Sequence, residues 1–352
     1  MKGRVPPIIY MNSDRSTIKL DHGSGGTQSH ELIEGLFRKR FSVNQNLLMS
    51  PDASPFIIGG QKLRVTTDSY VVDPLFFQGG NIGTLAVCGT INDLAVSGAV
   101  PKALTCGFIL EEGFPLSDLE LIVDTMAELS KRLGVPIIAG DTKVVDKGKV
   151  DGCFINTTGI GLEREDSGHV SLGDQVIEGD VVILSGPMGD HGMTIMSARH
   201  GLDLSHQLSS DCAPLYAMIS AILNEHASDV RFMRDATRGG VATVCCEWVE
   251  DRTLGIELME DHLPVRESVR GICEILGIDP LYVANEGRMV IIAASAAADR
   301  ILSILHSFPE GEGAAIIGTV QKISPSRVVL RTTFGSSRFL SMLSGSQLPR
   351  IC

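Results

Sequence analysis

Between Glu163 and Gly179 the sequence turns polar and loses periodicity, while on either side of that break short apolar runs alternate with helical ones. A chain of 352 residues is long enough for two domains with full cores. The break therefore predicts two α+β halves of mixed strands and helices, at 18–165 and 166–335. Residues 1–17 form an N-terminal extension and 336–352 a C-terminal tail.

In the first half, Asp21-His22-Gly23-Ser24-Gly25-Gly26 leads into Thr27, after which Leu32, Ile33, Leu36 and Phe37 fall on one helical face with Thr27 as N-cap. A glycine-rich turn at a helix N-terminus offers free backbone N–H groups to an anion. No GxxxxGK[ST] occurs, so this is not a P-loop. A strand at 61–69 ends in Thr66-Thr67-Asp68-Ser69. The stretch from Asn81 to Ser97 is a helix of small apolar residues that carries Asn92 and Asp93 and stops at Gly98. Burying a carboxylate there is costly without a partner. A strand at 102–110 precedes a helix that Ser117 and Glu120 open as a capping box, with Leu119, Ile122, Val123, Met126, Leu129 and Leu133 on one face. The strand Val135 to Ala139 then runs into Gly140-Asp141-Thr142-Lys143, a polar turn of the kind that often carries a site. A strand at about 152–161 closes the half.

The second half opens on the buried strand Val181-Val182-Ile183-Leu184. Helices are expected at 189–201, 213–226, 267–277 and 296–307. Strands are expected at 289–293, 314–320 and 327–331. Arg234-Asp235-Ala236-Thr237-Arg238-Gly239-Gly240 leads into a further helix, and Asn285-Glu286-Gly287-Arg288 precedes a strand.

Four carboxylates thus stand at element edges or in unusual places: Asp68, Asp93, Asp141 and Asp235. Together they suit Mg²⁺, which takes few carboxylates and shares phosphate oxygens. A net charge of −12 excludes a nucleic-acid partner and leaves an anionic substrate dependent on a metal ion, a lysine or backbone N–H groups. The eight cysteines contain no CxxC, so neither a disulfide framework nor a zinc site is signalled, and a reducing cytoplasm fits them. The longest apolar run, Met289 to Ala298, is half the length of a membrane span, and no signal peptide is apparent.

The chain closes on Pro349-Arg350-Ile351-Cys352, after a segment of Ser, Gly, Arg and small apolar residues that builds no core. That composition predicts a mobile arm with a joint at Gly345 and Ser346, kept extended at its tip by Pro349. From Arg338 it would reach roughly 45 Å at about 3.3 Å per residue, carrying the Cys352 thiol.

These stretches, with Gly89-Thr90-Ile91-Asn92-Asp93-Leu94-Ala95, resemble the HypE family of [NiFe]-hydrogenase maturation factors over about residues 18–352. The middle motifs are shared with aminoimidazole ribonucleotide synthetase, selenophosphate synthetase and thiamine monophosphate kinase; the terminal Pro-Arg-Ile-Cys is particular to HypE. The resemblance implies a two-domain aminoimidazole ribonucleotide synthetase-like fold and an ATP-dependent carbamoyl dehydratase. Its substrate is a carboxamide that the carbamoyltransferase HypF places on Cys352. Dehydration leaves a thiocyanate, whose cyanide goes to iron on a HypC–HypD complex. It also implies a homodimer in which two first-domain sheets form a barrel. By the same resemblance Gly23, Ser24, Gly25 and Gly26 cover the phosphates. Asp68, Asp93, Asp141 and Asp235 hold Mg²⁺, Asn92 helps to position phosphate, and Thr142 belongs to the nucleotide site. Lys143 and Glu286 are candidates for stabilising charge and moving protons near the amide. Asp21 departs from the small residue common in the family.

Two other readings compete. Selenophosphate synthetase resembles an enzyme with a reactive Cys or selenocysteine beside the first glycine loop, and no Cys precedes Cys88 here. A non-enzymatic carrier that only presents Cys352 would have no use for the acidic positions and Lys143.

Overall fold

The computed structural model describes residues 17–41, 51–202, 208–343, 345, 348 and 350–352. The extension expected at 1–17 therefore lies outside the described residues apart from Thr17, as do Ser346 and Pro349 of the arm.

The first half contains α1 (Thr27–Leu32), a π-turn to α2 (Lys39–Phe41), β1 (Ser54–Ile58), β2 (Gln61–Tyr70), a short ribbon of β3 (Phe76–Phe77) and β4 (Gly80–Asn81), α3 (Ile82–Val96), β5 (Ala99–Glu111), α4 (Leu116–Leu133), β6 (Ile137–Val145) and β7 (Cys153–Glu163). Its sheet runs β1-β2-β7-β5-β6, antiparallel except for the β5–β6 pair. The second half holds β8 (Val181–Leu184), α5 (Asp190–Arg199), α6 (Tyr216–His226), β9 (Val230–Asp235), α7 (Gly240–Val249), β10 (Gly255–Met259), α8 (Glu267–Leu276), β11 (Met289–Ala293), α9 (Ala298–His306), β12 (Ala315–Gln321), β13 (Val328–Arg331) and β14 (Ser337–Leu340). Its sheet runs β14-β13-β10-β12-β8-β11-β9. Turns alone connect the halves over 164–180. Among the described residues no helix is long and apolar enough to cross a membrane.

Helix α3 positions the site. It is apolar all round and buried all round, because it packs on β2, β7 and α4 of its own half and on α6 and β9 of the other. Asn81 caps it, its Oδ1 accepting from Gly83 N at 2.8 Å and Thr84 N at 3.2 Å, while its Nδ2 donates to Thr125 Oγ1 on α4 at 2.9 Å. Gly89 lets Tyr70 lie close: a Cβ there would meet the Tyr70 hydroxyl at 2.3 Å. The last turn of α3 consequently lies between the halves, and Asn92 and Asp93 with it.

Several expectations shift. Strand β6 does not stop at Ala139 but continues to Val145, so Gly140-Asp141-Thr142-Lys143 is strand and not turn. Helix α4 starts from Pro115, leaving Ser117 inside its first turn with no capping box. Gly26 takes the N-cap of α1, one residue before Thr27. The face expected to bury Ile33, Leu36 and Phe37 is open to solvent. Strands β1, β3, β4, β9, β10 and β14 have no counterpart in the sequence reading. β14 draws the first residues of the expected arm into the sheet against β13.

Candidate active site

Strand β2 turns Arg64, Thr66, Asp68 and Tyr70 toward α3. Thr90 Oγ1 donates to Asp68 Oδ2 at 3.4 Å, and Thr66 Oγ1 donates to Asp93 Oδ2 at 2.7 Å. The carboxyl groups of Asp68 and Asp93 lie close enough to act on each other. The second half brings Asp235, the last residue of β9, and Arg238, from the turn that opens α7. Asp52 pairs with Arg234 at 3.0 Å, and Arg234 also donates to Glu247. All of these except Arg64, Tyr70 and Thr90 line one groove of about 910 Å³, closed on one side by Gly25, Ser29 and His30 of the glycine loop and α1.

Crowding of like charge governs the groove. Burial raises Asp93 and Asp235 well above the usual carboxylate range, and each is raised further by Asp68 and Asp52. Burial also lifts Asp68, against the pull of Arg238. Asp52 is pushed up to about 6, because desolvation outweighs its pairing with Arg234.

A second cavity, of about 190 Å³, lies beyond the glycine loop. Gly23, Ser24, Ser69, Val71, Arg238 and the tail residues Leu348, Arg350, Ile351 and Cys352 line it. The tail is docked here by its backbone: Val71 N donates to Cys352 O at 3.0 Å and Asp73 N to Arg350 O at 3.4 Å. Arg350 donates to Val71 O and pairs with Asp151 at 2.5 Å. Burial pushes the Cys352 thiol up to about 12; Glu286, Asp68 and Asp235 act in the same direction and Arg238 against it. Arg238 and the glycine loop therefore stand between the groove and the thiol and face both.

Glu286 is 4% exposed, with its Oε1 free of any hydrogen-bond partner. Burial raises it well above the carboxylate range, with Asp235 and Asp211 adding to the effect and Arg238 opposing it. Its backbone is fixed at both ends: Asp211 Oδ1 accepts from Glu286 N at 3.1 Å, and Asn92 Nδ2 donates to Glu286 O at 3.4 Å. Asn92 also donates to Ala213 O at 3.0 Å and accepts from Leu215 N at 2.8 Å. Expected to position phosphate, the Asn92 amide is instead spent on three backbone groups and acts as a strut between α3 and the second half.

Asp141, Thr142 and Lys143 do not join the site within one chain. Asp68 shares a row with Thr157, Cys106 and Gly140 across β2, β7, β5 and β6. Three strand spacings separate its ends, roughly 14 Å. Cys106 and Gly140 share a face, so Asp141 and Lys143 point to the opposite one. There Lys143 pairs with Asp141 at 2.7 Å, about 70% exposed, and holds the Asp141 carboxyl below its ordinary range. The expectations of a four-carboxylate metal set and of Lys143 beside Glu286 are corrected to this extent, because β6 is an edge strand on which Asp141 and Lys143 face outward and Thr142 is exposed.

The remaining donor set suits a metal shared with phosphate. Among the described residues no three His, Cys, Asp or Glu side chains form a cage for an ion on their own. Asp68 and Asp93 are an adjacent, destabilised pair, and Mg²⁺ is typically held by one or two carboxylates plus substrate phosphates.

The AIR synthase related protein N-terminal domain matches residues 51–162, and the corresponding C-terminal domain matches 178–330. Carbamoyl dehydratase HypE of Rhizobium leguminosarum bv. viciae is 47% identical over 335 residues, 95% of each chain. The chain belongs to the HypE family. A HypE crystal structure in complex with ATP is 45% identical, covering 96% of this chain and 100% of that one with a TM-score of 0.79. A HypE–HypF complex is likewise 45% identical, covering 89% and 99% with a TM-score of 0.81. Against this HypE fold, the residues that sequence reasoning passed over are Asp52, His191, Asp211 and Arg238. Only Arg238 carried a signal, since it lies in the motif with Asp235; the others are brought in by loops and by α5.

Proposed function

We propose that the protein dehydrates an S-carboxamide on its own Cys352 to a thiocyanate, using ATP, and so supplies the cyanide ligand of a [NiFe]-hydrogenase iron centre. The observation that carries this reading is the shared wall: Arg238 and the glycine loop line both the acidic groove and the thiol cavity. A nucleotide in the groove would place its terminal phosphate beside the sulfur substituent.

ATP supplies a phosphoryl group that turns the amide oxygen into a phosphate, a far better leaving group. Gly25 and Gly26 present the loop backbone to the phosphates, and Asp68 and Asp93, with Asp235 close by, would hold Mg²⁺ against them. Arg238 faces the negative charge that develops on the amide oxygen. Forming S–C≡N requires both N–H protons to leave the nitrogen. Glu286, buried and with an unpartnered Oε1, is the group placed to take one of them, from the carboxylate form that Arg238 favours against its burial, and the other leaves with the departing phosphate. The cavity walls keep water from the carboxamide.

HypF would load the thiol, and a HypC–HypD complex would receive the cyanide, in the cytoplasm. A homodimer that sets the outer faces of two first-half sheets together would cover the exposed Ile109 and bring Asp141 and Lys143 of one copy, with Thr142 between them on the same edge strand, toward the other. The domain limits 18–165 and 166–335 fit this arrangement, one half supplying the Asp68–Asp93 pair and the other Asp235, Arg238 and Glu286.

The test is intact mass of the C-terminal peptide after incubation with the carbamoyltransferase and then with Mg²⁺-ATP. One carboxamide should appear on Cys352 and lose one water when ATP is added. A carboxamide that ATP leaves unchanged would overturn the reading.

A further inference from the structure

Helix α5 begins under the docked tail, and its second residue, His191, is fully buried. The His191 Nε2 lies 2.8 Å from Ile351 O, the carbonyl one residue before the reacting cysteine. A carbonyl only accepts, so Nε2 carries the proton. The other ring nitrogen, Nδ1, then accepts from the Ser210 hydroxyl at 2.8 Å. Ser210 is fixed in turn: its Oγ accepts from Cys212 N at 3.1 Å, and its own N donates to Gln78 O at 2.9 Å. The Phe77 ring stands edge-on to the imidazole, centroids 5.5 Å apart, and holds its plane. Every degree of freedom of this ring is used to aim one N–H at the tail.

From this geometry we infer that His191 is the latch of the arm, a positioning residue that sets how much of the time Cys352 sits in the cavity and how much it is free for loading. The inference rests on the reading of Cys352 as the carrier of the carboxamide. With the tail docked, the imidazole has both its hydrogen bonds. When the tail leaves, Nε2–H loses its acceptor in a buried place, and a buried donor left unsatisfied is unfavourable. The latch reads a peptide carbonyl and not a side chain, so it holds the free thiol, the carboxamide and the thiocyanate equally. It touches none of the reacting atoms. Arg199, on the last turn of the same helix, donates to Arg350 O and adds a second hold on the neighbouring peptide.

Loss of one such bond shifts the docked-to-free ratio by roughly three- to ten-fold. His191→Ala should therefore speed iodoacetamide labelling of Cys352 in the ligand-free protein by up to that factor, read as C-terminal peptide mass against time. It should slow single-turnover dehydration of the loaded protein by the remaining part of that shift, the two changes multiplying to it, with loading by the carbamoyltransferase no slower than in the wild type. His191→Gln keeps an N–H in reach of Ile351 O and should recover much of both effects. Thermal melting of both variants shows whether they are folded, and Ser210→Ala, which frees the ring, is the second probe should His191→Ala not fold. Labelling that is unchanged in folded His191→Ala, or in folded Ser210→Ala where it is the probe, would overturn the latch, as would His191→Gln behaving like His191→Ala. Because labelling needs neither ATP nor a carboxamide, it reports on the latch even where dehydration fails.

Discussion

The Arg238 guanidinium and the Cys352 thiol line one cavity and act on each other: Cys352 is the foremost influence raising Arg238, and Arg238 is the cation that opposes the burial of Cys352. This places a fixed positive charge where the amide oxygen of a loaded cysteine would lie. Loss of one preorganised donor of this kind typically costs about 100- to 1,000-fold in rate. Arg238→Gln should lower single-turnover dehydration by that order while calorimetry still detects nucleotide. Dehydration within a few-fold of the wild type would remove Arg238 from the chemistry.

Asp93 and Asp235, raised well above the carboxylate range by burial and by the neighbouring Asp68 and Asp52, give a second expectation. A cation among them favours the carboxylates, so binding of Mg²⁺-ATP at neutral pH should release protons. Calorimetry in two buffers of different ionisation heat measures this directly. Asp93→Asn should abolish ATP hydrolysis, suppress the release and leave the melting temperature unlowered, since the amide is neutral and of the same shape as the protonated carboxyl it replaces. Equal proton release in Asp93→Asn and wild type would contradict the assignment.

The same groups make folding stability depend on pH. A carboxyl raised in the folded state binds its proton more tightly there than in the unfolded chain. Its contribution is complete below the unfolded value near 3.8 and is lost as pH rises through the folded value. Asp52 and Asp190, both pushed up to about 6, should make the ligand-free protein lose stability as pH rises from about 4 to about 6. Each group contributes up to about 1.4 kcal/mol per pH unit. His191, lowered by burial, works in the opposite sense below about 6.5. Asp52→Asn should flatten the fall, as followed by thermal melts across that range; a steeper fall would reverse the sign argued here.

Lys143, on the outward face of the first sheet, can reach a site only on another molecule. Mixing Lys143→Ala with Glu286→Ala protein should therefore restore dehydration that neither shows alone, since a mixed pair contains one intact site. Full activity in Lys143→Ala, or no recovery on mixing, would take Lys143 out of the reaction.

Cys352→Ala should fold and bind ATP yet carry no carboxamide. The other seven cysteines should each tolerate Ser or Ala without loss of reaction. Cys106, Cys153 and Cys246 are fixed in the interior and raised to about 11 or 12 by burial, whereas Cys352, raised as far while docked, is a terminal residue that undocking exposes. A carboxamide on any of the seven, seen by peptide mass, would refute this.

Much of this site was legible because periodicity and local motifs survive folding. Asp68, Asp93 and Asp235 were found where strand ends and an apolar helix made a carboxylate conspicuous. Asp141 misled because the apolar run Val135 to Ala139 looks like a whole strand, whereas β6 is an edge strand whose outward residues need not be apolar. The docked tail was hidden for a different reason. Much of its hold is made on main-chain groups of Val71, Asp73, Arg350, Ile351 and Cys352, and main-chain groups leave no trace in composition. His191 and Asp211 belong to the same class, since each acts on a backbone atom far away in the chain.

The carbonyl of Leu343 accepts from both the backbone N and the hydroxyl of Thr27, at 2.8 and 3.2 Å, and a Cβ on Gly26 would meet that oxygen at 2.3 Å. The cover of the nucleotide groove is thus stitched to the base of the arm that bears the thiol. An arm that swings out from beyond Leu343 leaves the stitch intact and the cover shut. An arm that peels away through Leu343 unties the first turn of α1 and opens the roof over the groove in the same movement. Whether spent nucleotide departs before or together with the charged sulfur is then decided by where along a few residues the peeling stops.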